Sequence, residues 1–164
     1  MGFLSRALWM ALPWLLAAQL AAQDGPRLGR ITFPTSGRAE AQPAFIRGVL
    51  YLHSFEYDSA ARAFREAQRL DPGFAMAFWG EAMTYTHPVW RQQDLAAARA
   101  VLNRLAPTRE ARRAKAPTAR EKAWLEIVEI LFGEGTKERR DTLFAEALER
   151  MAADFPGDPE VRAF

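Results

Sequence analysis

The chain holds two histidines, His53 and His87, and no cysteine. Two imidazoles can converge on one ion at about 2.0–2.1 Å each, provided the helices that carry them pack about 8–10 Å apart. Two ligands do not complete a site, and the nearest acid in sequence, Glu56, falls one turn beyond His53 at a helix end. The residues therefore predict neither metal nor cofactor, with His53 and His87 as the candidate ligands if a metal binds. Without cysteine there is no thiol nucleophile and no disulfide framework. No GxSxG, HExxH or glycine-rich phosphate loop is present. The acids read as spread along polar faces or placed at helix starts. Catalysis needs a nucleophile with its base, or paired carboxylates in a pocket. The expectation is a protein that is not an enzyme.

The two histidines belong to a longer recurrence. Phe45, Gly48, Val49, Tyr51, Leu52 and His53 return 34 residues later as Trp79, Ala82, Met83, Tyr85, Thr86 and His87. Aromatic falls on aromatic, small on small, tyrosine on tyrosine. A period of this length marks stacked helix–turn–helix units. After Pro43, a good first-turn residue, apolar positions follow helical spacing. The first helix is expected over about 43–55. Tyr57-Asp58-Ser59 reads as the turn, with Asp58 or Ser59 as N-cap, and a second helix is expected over 60–70. Asp71-Pro72-Gly73 stops it, because proline cannot continue a helix. Further helices are expected over 76–86 and 95–105, separated by His87-Pro88-Val89-Trp90. Another begins near Thr118, where Thr118 and Glu121 form a capping box, and its partner carries Leu143, Phe144, Ala147, Leu148 and Met151.

The segment 41–74 resembles the tetratricopeptide repeat. Its small Gly48, its Tyr51, the Ala60, Phe64 and Ala67 of the following helix, and the closing Leu70-Asp71-Pro72 carry that likeness. The resemblance implies an all-α, right-handed solenoid of helical hairpins, about three units long, over residues 43–74, 75–106 and 118–157. Small residues sit where paired helices cross, and Phe64 fills the space toward the next unit. Each unit leaves an apolar face for its neighbour to cover. Arg140 stands where the family has a small residue, so the third unit is expected to be looser. Asp158-Pro159-Glu160-Val161 reads as the opening of a fourth unit, and the domain, 43–164, is expected to continue beyond the chain. The run from Arg47 to Trp90 is also similar to exported bacterial repeat proteins of unassigned activity.

In such repeats the inner, concave face is lined by the first helix of each pair. The candidate groove residues are Gln42, Phe45, Val49, Leu52 and His53 from unit one, and Met76, Trp79, Met83, Thr86 and His87 from unit two. Aromatic and methionine side chains of this kind are enriched in adaptable binding surfaces. Either the groove takes a protein or peptide partner, or the leader or a downstream part covers it, since large exposed apolar patches are uncommon in monomers. Seven cations between Arg104 and Lys122, against Glu110 and Glu121, read as a solvated link or as a patch for an acidic partner.

The N-terminus bears on compartment. Arg6, the apolar run ALWMALPWLLAA and the small Ala21 and Ala22 follow the order of a secretory signal peptide, residues 1–22. The apolar run is too short for a membrane span, which needs about 20 residues, and Pro13 interrupts it. Residues 23–42 read as an extended leader. After cleavage the balance is 21 basic against 20 acidic residues, which is no footprint for nucleic acid. The sequence thus predicts a periplasmic or extracellular scaffold that binds a protein or peptide along helical repeats. The alternatives are a periplasmic small-ligand or metal-binding protein using His53 and His87, and an accessory repeat domain of a larger enzyme.

Overall fold

A computed structural model describes residues 28–164. The expected signal peptide and the first residues of the leader lie outside the described residues. The architecture is all-α, with eight helices and one minimal two-stranded ladder among the described residues. In chain order the helices are α1 (Gln42–His53), α2 (Tyr57–Leu70), α3 (Ala75–Met83), α4 (Leu95–Leu105), α5 (Arg109–Ala114), α6 (Ala119–Leu131), α7 (Lys137–Asp154) and α8 (Pro159–Ala163). Strands β1 (Thr86–His87) and β2 (Gln92–Gln93) pair antiparallel around a 3₁₀ turn at Pro88–Trp90.

Capping explains most boundaries. Asp94, Thr108, Thr118, Thr136 and Asp158 each accept a backbone N–H at the start of α4 to α8. This satisfies a donor that has no partner inside the helix. The expected capping box is formed, with Thr118 and Glu121 bonded reciprocally. Three boundaries differ from the sequence reading. Helix α1 ends at His53 because Phe55 takes a left-handed conformation, φ 59°. Helix α2 then starts at Tyr57, ahead of Asp58 and Ser59, with no side-chain cap. Helix α3 stops at Met83 because Thr86 and His87 enter the hairpin.

Consecutive helices pack on one another, α1 on α2, α2 on α3, α3 on α4 and α6 on α7, while α3 also touches α1 and α6. Phe64 of α2 is the wedge at the first two of these junctions and is wholly buried. A Cβ on Gly48 would lie 2.7 Å from its ring, and one on Gly80 only 2.3 Å. The ring therefore occupies the volume that both glycines leave empty.

Burial of charge departs from expectation. Glu81, inside α3, is buried rather than placed on a polar face, while Glu121 and Glu160 stand at helix starts and are buried there. Glu81 accepts from Arg65 Nε at 2.7 Å, Gln68 Nε2 at 2.6 Å and the guanidinium of Arg104. A buried carboxylate is tolerated only when its lone pairs are filled in this way. The basic stretch is largely spent on the fold. Arg104, Arg109, Arg112 and Arg120 pair with Glu81, Glu126, Glu129 and Asp158. Arg140 is buried, and it ties α6 to the hairpin. It donates to Leu131 O at 3.0 Å and Gly135 O at 2.5 Å, and to Gln93 Oε1 at 2.6 Å.

Candidate binding cleft

The first helices and the hairpin border a cleft of about 490 Å³. Its wall begins at the end of α1, with Leu52 and His53, and continues through the turn residue Phe55 and Tyr57. Met83, Thr86 and Arg91 come from α3 and the hairpin. Leu131, Lys137, Asp141 and Phe144 come from α6 and α7, and Phe164 closes the far side. The buried residues of its lining, Leu52, Met83 and Leu131, are apolar, and the charged Arg91, Lys137 and Asp141 are more exposed, a composition common in ligand sites. Lys137 is neutralised by Asp141, one helical turn away.

An aromatic cluster forms the mouth. The rings of Tyr57 and His87 stack at 3.9 Å with 20° between their planes. Trp90 sets its edge toward Tyr57 at 6.3 Å, and Phe55 meets Trp90 at 6.3 Å. Phe55, Val89 and Trp90 are 52%, 65% and 56% exposed, and they are the exposed large hydrophobics among the described residues. All three lie at this one mouth or in the turn that builds it. Phe55 and Arg91 (φ 54°), the two non-glycine residues with left-handed backbone among the described residues, both line it. Such conformations are held in place by their surroundings and gather at functional surfaces. The Tyr57 hydroxyl is buried without a hydrogen-bond partner. Desolvation by burial pushes its phenol pKa above the ordinary value.

The candidate groove residues divide into two sets. Leu52, His53, Met83 and Thr86 line the cleft, and His87 stands beside it in the aromatic stack. Phe45, Val49, Met76 and Trp79 are wholly buried and line no open surface, which corrects the sequence reading. The reason is coverage from both ends of the described chain. Phe33 of the leader packs on Phe45 (5.3 Å), Trp79 (5.6 Å) and Trp124 (5.4 Å). Phe164 packs on Trp79 at 5.3 Å and Trp124 at 5.5 Å. Gln42 is engaged by the leader as well, accepting from the Thr35 hydroxyl and donating to Gly37 O.

The histidines hold separate partners. His53 Nε2 meets Glu160 Oε2 at 2.7 Å, and His87 Nε2 meets Thr84 O at 3.0 Å. Among the described residues no three His, Asp or Glu side chains gather at metal-binding distances. Sequence reasoning missed Phe55, Tyr57 and Arg91 as cleft residues, and Trp90 as the ring packed against the first two. Phe55 reads as a helix end and His87-Pro88-Val89-Trp90 as an interruption. The available signal is a pair of aromatics in turns at the same end of successive hairpins.

Comparison with models of protein families, with curated proteins and with solved structures finds no match. No helix among the described residues is long and apolar enough to cross a membrane.

Proposed function

We propose that this chain is an exported, non-enzymatic scaffold of tetratricopeptide-like repeats that holds a polypeptide segment in the cleft beside the Thr86–Gln93 hairpin. The carrying observation is that two exposed large hydrophobics of the described residues meet at one cleft: Phe55 lines it, and Trp90 packs edge-to-face with Phe55 and with the lining residue Tyr57. Rigid aromatics around a pocket are the usual anchors of protein recognition. The repeat reading rests on the 34-residue recurrence, whose two copies fall on α1 and α3 and the residues just after α3. Export rests on the pattern of residues 1–22.

A second reading, a small ligand in the same cleft, is favoured by its volume, since ligand sites span about 300–1,000 Å³, and by the unpartnered Tyr57 hydroxyl. Panning a random peptide display library over the mature chain separates the two. Short sequences with aromatic or aliphatic anchors should be enriched, and Trp90→Ala and Phe55→Ser should each lose them while melting as the wild type does. If nothing is enriched beyond the Trp90→Ala control, the peptide reading fails and the small-ligand reading replaces it.

A further inference from the structure

The leader segment 31–38 lies against the inner face as a bound peptide lies in a groove. Among the described residues, no backbone–backbone hydrogen bond reaches positions 31–37. The segment is held by side chains of the helices instead. Phe33 is 3% exposed and inserts among Phe45, Trp79 and Trp124, contributed by α1, α3 and α6. The guanidinium of Arg120 lies over its ring at 4.3 Å. That geometry is a cation–π contact.

The polar contacts read the backbone in both senses. Arg120 Nη1 donates to Pro34 O at 2.9 Å. Ser36 gives both its N–H and its hydroxyl to Glu121 Oε1, each at 2.7 Å. Arg38 N–H donates to Asp71 Oδ2 at 2.9 Å. Proline at position 34 has no N–H to leave unpaired, and it biases the chain toward the extended form, so less entropy is lost on docking. The segment does not use everything the groove offers. Arg120 Nη2 and the indole nitrogens of Trp79 and Trp124 are buried donors without partners.

We propose that the inner face is a recognition groove for an extended segment bearing an aromatic residue, then proline, then serine three positions after the aromatic. The chain's own Phe33-Pro34-Thr35-Ser36 occupies this groove in cis, and a segment of the same chemistry displaces it in trans. Glu121 is the discriminating residue. Its Oε2 serves the cap of α6, accepting from the Thr118 hydroxyl and N–H. Its Oε1 is left for the incoming serine. Arg120 fixes direction, because it needs a carbonyl where Glu121 needs donors. This groove adjoins the cleft of the proposed function at Phe164, but none of the residues that hold Phe33 to Ser36 lines that cleft, so either reading can fail without the other.

The test uses the full mature chain with a protease site introduced at the exposed Ala39–Glu40 junction. The protein is folded, cut, and mixed with a fluorescent synthetic peptide of residues 30–38. The expected result is saturable one-to-one uptake of label by a chain that keeps its helical circular dichroism, reversed by unlabelled peptide. Peptides carrying Phe33→Ala or Ser36→Ala should bind more than about tenfold more weakly, the scale of losing an anchor. An uncut Phe33→Ala chain should also take up the wild-type peptide. Unfolding of the cut chain on loss of its leader, without recovery on adding peptide, would show a core strand rather than a ligand and overturn the proposal. So would a folded cut chain that never exchanges, or equal binding of the three peptides.

Discussion

Gly80 shows how much a single missing side chain decides. Its would-be Cβ falls 2.3 Å from the Phe64 ring, closer than any real contact. Gly80→Ala should therefore destabilise by about 1–3 kcal/mol through overpacking, although alanine is the better helix former by about 1 kcal/mol. Phe64→Ala should cost about 3–5 kcal/mol. The two are coupled through the same space, so the double variant should be more stable than the sum predicts by at least about 0.5 kcal/mol. Denaturant titration of the four proteins reads this directly, and strict additivity would show that the ring is not wedged against α3. Phe64 was legible through the resemblance to the tetratricopeptide repeat, which implies a large residue there filling the space toward the next unit. Gly80 was not, since it falls outside the recurring positions and only the contact reveals its role.

Elements were legible where local chemistry closes them and illegible where a distant residue does. The capping box at Thr118 lies within a few residues of what it satisfies, and α4 runs over the span its stripe indicates. The end of α3 depends on the hairpin, and the hairpin depends on Arg140, 47 residues beyond Gln93. No period announces such a tie. Arg140→Ala should leave the carbonyls of Leu131 and Gly135 without their donor and cost about 1–3 kcal/mol, the penalty for a buried polar group that loses its partner. Arg140→Lys should not restore it, because one ammonium cannot match a planar fork with three acceptors. Thermal melts of both variants check the first point. Hydrogen exchange at Gln92 and Gln93 checks the second: exchange should accelerate in both, and wild-type rates in the lysine variant would remove Arg140 from this role.

A linear array of repeats passes stability only between neighbours, but the contacts here bridge far larger separations. Ser36 meets Glu121 across 85 residues, and His53 meets Glu160 across 107. Phe33 touches α1, α3 and α6 at once, so it fastens helices that a simple stack would couple only in sequence. This closure hides Phe45 and Trp79, which the repeat pattern alone places on an open face. The periodic positions specify which side of a helix is apolar, and they are silent on whether the leader or the next hairpin covers it. Whole-molecule cooperativity should then rest on one aromatic ring. In the wild type, the slowest amides of α1 and α6 should exchange with the same free energy, as one unit that opens globally. Phe33→Ala should lower overall stability by about 3–5 kcal/mol, the cost of emptying a buried phenylalanine site. It should also separate the two sets, with α6 and α7 opening at lower denaturant than α1 to α3, because α1 and α2 keep the Phe64 wedge and α6 loses its tether. Native-state hydrogen exchange across a denaturant series resolves the sets. If α1 and α6 already open independently in the wild type, the leader is not the fastening and the chain behaves as an ordinary stack.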